Sequence, residues 1–198
     1  GSASGFGSSI NVSSLDGSNG FKISGAAAND LSGTSVASAG DINDDGFADL
    51  IVGAPGVDPN GGAAYVIFGK AGGFGANIDL SSLDGSNGFK ITGADATGHI
   101  VDTGWSVASA GDVNGDGFDD IIVGAPGTYD YANSASYVVF GKAGGFGANI
   151  DLSSLDGSNG FKIDHAQSFD TSGHSVASAG DVNGDGFADL IIGAPNSS

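Results

Sequence analysis

The chain has 198 residues, a length that suits one medium-sized domain. It carries 23 acidic and five basic residues, a formal charge of -18, with every acid an Asp and every base a Lys; that balance excludes the basic patches that nucleic acid and anionic membranes need, and it favours cations as partners. Cys and Met are absent, which excludes disulfides, thiolate metal centres and Cys nucleophiles.

No apolar run is long enough to cross a membrane as a helix. There is no initiator Met and no signal peptide, as expected of a mature or excerpted segment. Gly, at 38 residues, has no strict three-residue period and so reads as many tight turns between short strands.

In chain order, the first element is a strand at Phe21–Ile23. It closes the run Ser-Leu-Asp-Gly-Ser-Asn-Gly-Phe-Lys-Ile at 14–23, which returns at 82–91 and 154–163 with strands at Phe89–Ile91 and Phe161–Ile163. Next comes Ser35–Ala39, within Ser-Val-Ala-Ser-Ala-Gly-Asp at 35–41, 106–112 and 175–181. A second strand at Asp49–Val52 runs into Gly-Ala-Pro, found at 53–55, 124–126 and 193–195. A third spans Ala64–Phe68. A long connection follows from Gly69 to Gly88, and Phe-Gly-Lys-Ala-Gly-Gly-Phe-Gly-Ala-Asn-Ile-Asp-Leu occurs at 68–80 and 140–152. The repeat returns about every 70 residues with no linker, so the copies are expected to pack on one another as one repeat domain over 1–198, with approximate units 5–67, 68–139 and 140–198.

Residue size assigns each strand a place. The first strand is nearly all small. The second is a continuous apolar run, as expected of a strand covered on both faces. The third is bulkier, with Tyr65 and Phe68. The fourth alternates Phe, Lys and Ile, so that Lys22, Lys90 and Lys162 are expected to guard an outer edge. Small inside and large outside makes a radial wedge, so the expected fold is all-β, made of β-propeller blades.

The loop between first and second strands carries the chemistry. It reads Asp41-Ile42-Asn43-Asp44-Asp45-Gly46-Phe47-Ala48-Asp49, and its copies place Asp112, Asn114, Asp116, Phe118 and Asp120, then Asp181, Asn183, Asp185, Phe187 and Asp189, at the same positions. Oxygen donors at positions 1, 3 and 5 can fold around one hard cation, Gly at 6 permits the turn, position 7 offers its carbonyl, and Asp at 9 closes the shell. An all-oxygen set favours calcium over zinc or copper. An EF-hand would need Glu at position 12 and flanking helices, whereas that position holds Val52, Val123 or Ile192 inside a strand. Three calcium ions per chain are expected. A bare turn has no need of three carboxylates, which would repel one another.

These loops, with the apolar strand and the Gly-Ala-Pro after each, resemble the FG-GAP repeats of the integrin α-chain β-propeller and its bacterial relatives. The resemblance covers essentially the whole chain. It implies one blade per repeat and calcium bound by the Asp and Asn positions above and by the backbone oxygens of Phe47, Phe118 and Phe187. The Phe-Gly expected before each first strand is replaced by Ser32-Gly33, Thr103-Gly104 and Ser172-Gly173. The long connection looks more like bacterial surface proteins. Known propellers have about four to eight blades, so three units, one of them without its third strand, leave open faces and edges.

Three functions are weighed. The first is a calcium-stabilised extracellular structural or adhesive module that forms a homo-oligomer or filament, or continues into further repeats. The second is a lectin-like glycan binder using Trp105, Tyr129 or Tyr131; Trp105 shares its repeat position with Thr34 and His174. The third is a polysaccharide-active enzyme, the poorest reading because the carboxylates are committed to loops and no nucleophile–base motif stands out. His99, His165 and His174 share no metal spacing and read as loop residues.

Overall fold

Short β-branched runs punctuated by Gly and Asp turns fold here as strands throughout. The computed structural model describes residues 8–57, 61–93, 101–127, 134–166 and 169–197. These hold β1 (Lys22–Ser24), β2 (Ser35–Gly40), β3 (Asp49–Ala54), β4 (Ala63–Ile67), β5 (Asn77–Asp79), β6 (Gly88–Thr92), β7 (Ser106–Gly111), β8 (Asp120–Ala125), β9 (Ala135–Val139), β10 (Asn149–Asp151), β11 (Gly160–Asp164), β12 (Ser175–Gly180) and β13 (Asp189–Gly193). The all-β class and the four-strand unit stand as the sequence implies. The third strand starts and ends one residue earlier than expected, although Phe68 just beyond it is still buried.

Two antiparallel blades are complete. The first runs β2-β3-β4-β6 and the second β7-β8-β9-β11; the third holds β12 and β13 among the described residues. Among the described residues no sheet closes into a ring. The strand that completes each blade is the one following its third strand, so β1 stands outside these blades and pairs with β5.

Alternation along the second strand builds the stack. Ile51, with Val66 and Phe89, faces the second blade and meets Val107, Ile121, Val123 and Tyr137. Ile122 and Val138 point the other way, toward Val176, Leu190 and Ile192 of the third blade. Each second strand therefore serves two interfaces, which explains its unbroken apolar run. Burying a side chain such as Ile51 completely contributes about 1.5–3 kcal/mol. On the far side of the first blade, Val52, Tyr65 and Ile67 are covered by Ile23, Phe74 and Ile78.

The small first strands lie side by side, with β7 between β2 and β12. A Cβ added at Gly53 would collide with the Gly104 carbonyl, and one at Gly124 with that of Gly173. Only glycine lets neighbouring blades approach so closely. Hydrogen bonds lock them: Val107 N donates to Ser35 Oγ (3.1 Å), and Lys142 N to the Ile42 carbonyl (2.9 Å).

Two strands were not legible in the sequence. β5 and β10 are the Asn-Ile-Asp tripeptides of the long connection, and each lies parallel to the fourth strand one blade back: β5 on β1, and β10 on β6. This corrects the edge-guard reading of two lysines. Lys22 and Lys90 sit on covered strands, and their amides donate to the Ala76 and Ala148 carbonyls at 2.9 and 3.0 Å. Only Lys162, on β11, stands at an outer edge among the described residues.

Candidate metal centre

Each acidic loop caps a hairpin whose strands shift register just before it, at Ser38/Gly40, Ser109/Gly111 and Ser178/Gly180. The loop then turns through Gly46, Gly117 and Gly186 at φ of 85°, 91° and 92°, a left-handed conformation that side chains disfavour. Position 6 of the motif is therefore glycine for the reason the sequence suggested.

The side chains at positions 1, 3 and 5 organise the turn itself. Asp41 accepts from the amides of Asp45 (3.0 Å) and Gly46 (2.8 Å). Asn43 Oδ1 accepts from Asp45 N (3.1 Å), and its amide group donates to Asp45 Oδ2 (3.1 Å). Asp45 Oδ1 accepts from Phe47 N (2.9 Å). The same pattern recurs at Asp112, Asn114 and Asp116. The donations from backbone amides recur again at Asp181, Asn183 and Asp185.

Position 9 differs in kind. Asp49 and Asp120 are fully buried. The two oxygens of Asp49 accept from Ile42 N (3.0 Å) and Gly69 N (2.7 Å), and those of Asp120 from Val113 N and Gly141 N (both 2.9 Å). Each acid thus pins its loop to the chain that leaves the third strand. Asp189 accepts from Val182 N (2.8 Å) and is only partly buried. Burial pushes the carboxyls of Asp49 and Asp120 up to about 6, and the charges of Asp45 with Asp41, and of Asp116 with Asp112, add to the rise.

Among the described residues, no three acidic or His side chains are grouped closely enough to hold a metal ion. The carboxylates are engaged with loop amides instead. The donor set nonetheless suits a hard divalent cation: three carboxylates and an amide oxygen per loop, and in the first two loops a buried acid at position 9 whose burial, with its neighbours' negative charge, disfavours its ionisation. A cation there would relieve that repulsion.

Loop and blade also meet between repeats. Asp119, where the other copies have Ala48 and Ala188, accepts from Asp41 N (2.9 Å) of the preceding blade. Ala188 N in turn donates to the Asp112 carbonyl (2.9 Å). Of the other residues considered, Trp105 and His174 come together with ring centres 5.8 Å apart, and His165 Nδ1 lies 3.1 Å from the Ser134 carbonyl. Tyr129, Tyr131 and His99 fall outside the described residues. Sequence reasoning missed the clefts beside the first two loops, about 500 and 570 Å³, the first lined in part by Asp45 and Lys70 and the second by Asp116 and Lys142 of the long connection.

Comparison with known proteins gives a consistent answer. The family described as FG-GAP repeat matches at residues 32–67, 103–139 and 172–198. The chain is 34% identical over 165 residues to phosphatidylinositol-glycan-specific phospholipase D of Bos taurus, covering 78% of this chain and 18% of that protein. It is 30% identical over 182 residues to integrin alpha-5 of Xenopus laevis, covering 88% and 16%, and 34% identical over 158 residues to integrin alpha-7 of Rattus norvegicus, covering 78% and 12%. The chain therefore spans less than a fifth of the length of these relatives.

Proposed function

The chain belongs to the FG-GAP repeat family, and we propose that it is a calcium-stabilised, extracellular structural or adhesive module that self-associates or continues into further repeats. The observation that carries this reading is the threefold acidic loop, with the acid at position 9 fully buried in the first two copies. Asp41, Asn43, Asp45 and Asp49 would hold one ion with the Phe47 carbonyl. Asp112, Asn114, Asp116, Phe118 and Asp120 would hold a second, and Asp181, Asn183, Asp185, Phe187 and Asp189 a third. Bound calcium supplies a positive charge that ties both ends of each hairpin loop together. Extracellular modules of this kind bind calcium at about 10⁻⁴–10⁻³ M, concentrations met outside cells, and the Cys-free chain has no disulfides to do the same work. No described helix is long and apolar enough to cross a membrane.

The integrin relatives support a protein ligand and an adhesive role. Equilibrium dialysis against calcium tests the reading: three ions per chain are expected, and one or none would contradict it. The second reading is a glycan-binding propeller, favoured by the Trp105–His174 pair; a glycan array separates it from the first. The phospholipase relatives favour an enzymatic role for a longer protein, tested by lipid and polysaccharide hydrolysis assays. In our reading the repeats themselves support and bind, because their acids are occupied in loop hydrogen bonds.

A further inference from the structure

The outer edges of β1 and β6 each carry an Asn-Ile-Asp strand; that of β11 carries none among the described residues. Three observations show that the uncovered edge is already shaped for one. The first is its hydrogen-bonding register. Phe140 N donates to the Asn159 carbonyl (3.1 Å), so alternate residues 159, 161 and 163 bond to β9. The Lys162 amide therefore faces outward, as do the Lys22 and Lys90 amides that bind Ala76 and Ala148.

The second is a glycine cradle. The turn before each fourth strand is built alike, with Gly17, Gly85 and Gly157 donating to the carbonyls of Gly20, Gly88 and Gly160 at 2.8, 2.8 and 2.9 Å. A Cβ on Gly17 would lie 2.9 Å from the Phe74 carbonyl oxygen, and one on Gly85 2.7 Å from that of Phe146. At Gly157 nothing among the described residues lies within 4 Å of that position. The third is a ring pair. Phe140–Phe161 reproduces Phe68–Phe89, both with centres 5.8 Å apart. Among the described residues only the earlier pair has a third ring, Phe146, stacked 4.5 Å from Phe89.

We propose that the outer edge of β11, with Gly157 and Phe161, is a preformed strand-acceptor site for a further copy of the Phe-Gly-Ala-Asn-Ile-Asp-Leu segment. The occupant lies parallel, with its Asn, Ile and Asp opposite Lys162, Ile163 and Asp164, following the pairing of β10 with Lys90, Ile91 and Thr92. Main-chain hydrogen bonds hold it, and its Phe ring completes the aromatic cluster. One residue weakens the fit. Asp164 stands where Ser24 and Thr92 offer hydroxyls to the arriving strand: Ser24 Oγ donates to Asn77 Oδ1 (2.8 Å), and Thr92 Oγ1 to the Ile150 carbonyl (3.3 Å). In the proposed register Asp164 meets the occupant's Asp, and like charges directly opposite weaken pairing, here by up to about fivefold in affinity.

This inference rests on the self-associating reading and names its edge and its segment. The test titrates the full chain, in calcium, with a capped, labelled peptide of residues 143–155. Saturable binding is expected, with amide shifts confined to 156–164, and the Ile150→Asp peptide should bind at least about tenfold more weakly. Asp164→Thr should tighten binding up to about fivefold. Lys162→Pro removes an outward amide at an edge, where proline is tolerated, together with the exposed Lys162–Asp164 ion pair, which contributes little to stability; it should abolish binding with melting nearly unchanged. Absence of shifts at 156–164 at millimolar peptide would overturn the proposal, as would an Asp164→Thr chain that binds no better. Sedimentation of the same samples reads self-association separately: a monomer that binds the peptide keeps the acceptor site and refutes self-association, and an oligomer that ignores the peptide does the reverse.

Discussion

Asp120 and Asp116 stand four residues apart in one loop and should fail in different ways when removed. Asp120 is buried and satisfies two backbone amides. Asp120→Ala leaves both without a partner, which costs about 1–3 kcal/mol for each buried group, so its melting temperature should drop even in excess chelator. Asp116 is exposed and its side chain hydrogen-bonds within its own loop. Asp116→Ala should melt nearly as the parent chain does in chelator, yet lose one ion per chain by dialysis. Equal losses in chelator would show that the two positions do not divide the work this way. The raised carboxyls of Asp49 and Asp120 also set a pH dependence. Their folded values, about 6, lie above the unfolded value near ~3.9, so the folded chain holds the extra protons between those limits. Stability is then greatest at the acid end and falls as pH rises toward 6. In chelator the chain should melt higher at pH 5 than at pH 7, and calcium at pH 7 should restore the difference. A calcium-free chain that melts higher at pH 7 would contradict this assignment.

The long connection is an element in its own right. Its Phe ring and Asn-Ile-Asp strand reach back to the preceding blade, so that Phe146 and Ile150 join the core shared by the first two blades. Ile150→Asp places a charge against that core, where Ile150 is partly buried, and should destabilise the fold by about 1–3 kcal/mol. Val182→Asp, at a position 72% exposed in the third loop, should change melting little. Similar melting of the two variants would show that β10 does not clasp the blades. The four blade strands were legible because the repeat marks their boundaries and residue size ranks them from axis to rim. The clasp was not: three residues with a single Ile carry no period, and their partner lies 58 positions away, at Thr92 from Ile150. A signal did exist. Thirteen identical residues at 68–80 and 140–152 are more than a free connection requires, and identity there reflects contact with a surface that also repeats. The acidic loops were legible as a motif, but their present hydrogen bonds to loop amides were not, since spacing alone does not say which way a carboxylate turns.

At the scale of the molecule, each blade interface is a translated copy of the last. Val107, buried between the first two blades, is 5% exposed; its counterpart Val36 is 66% exposed, and Ile191, counterpart of the buried Ile51 and Ile122, is 60% exposed. The two ends of the stack therefore expose matching parts of an interface that the chain already makes twice, although at the first-blade end Val52, Tyr65 and Ile67 are covered by β1 and the long connection. Apolar faces of this kind favour association, and head-to-tail contact can close into a ring or run on as a filament. Sedimentation in calcium should show oligomers that Val36→Asp or Ile191→Asp disperses; a parent chain that remains monomeric at micromolar concentration would remove the self-associating form of the account. The charge of -18 opposes compaction throughout, and three divalent ions would reduce it to -12. With calcium at about 100 times its dissociation constant, each site adds about 2.7 kcal/mol, or about 8 kcal/mol for three. For a chain of this size that amounts to roughly 15 °C or more in melting temperature. Thermal unfolding in calcium and in excess chelator is therefore the most direct test of calcium stabilisation: a shift of that order is expected, and coincident melting curves would contradict it.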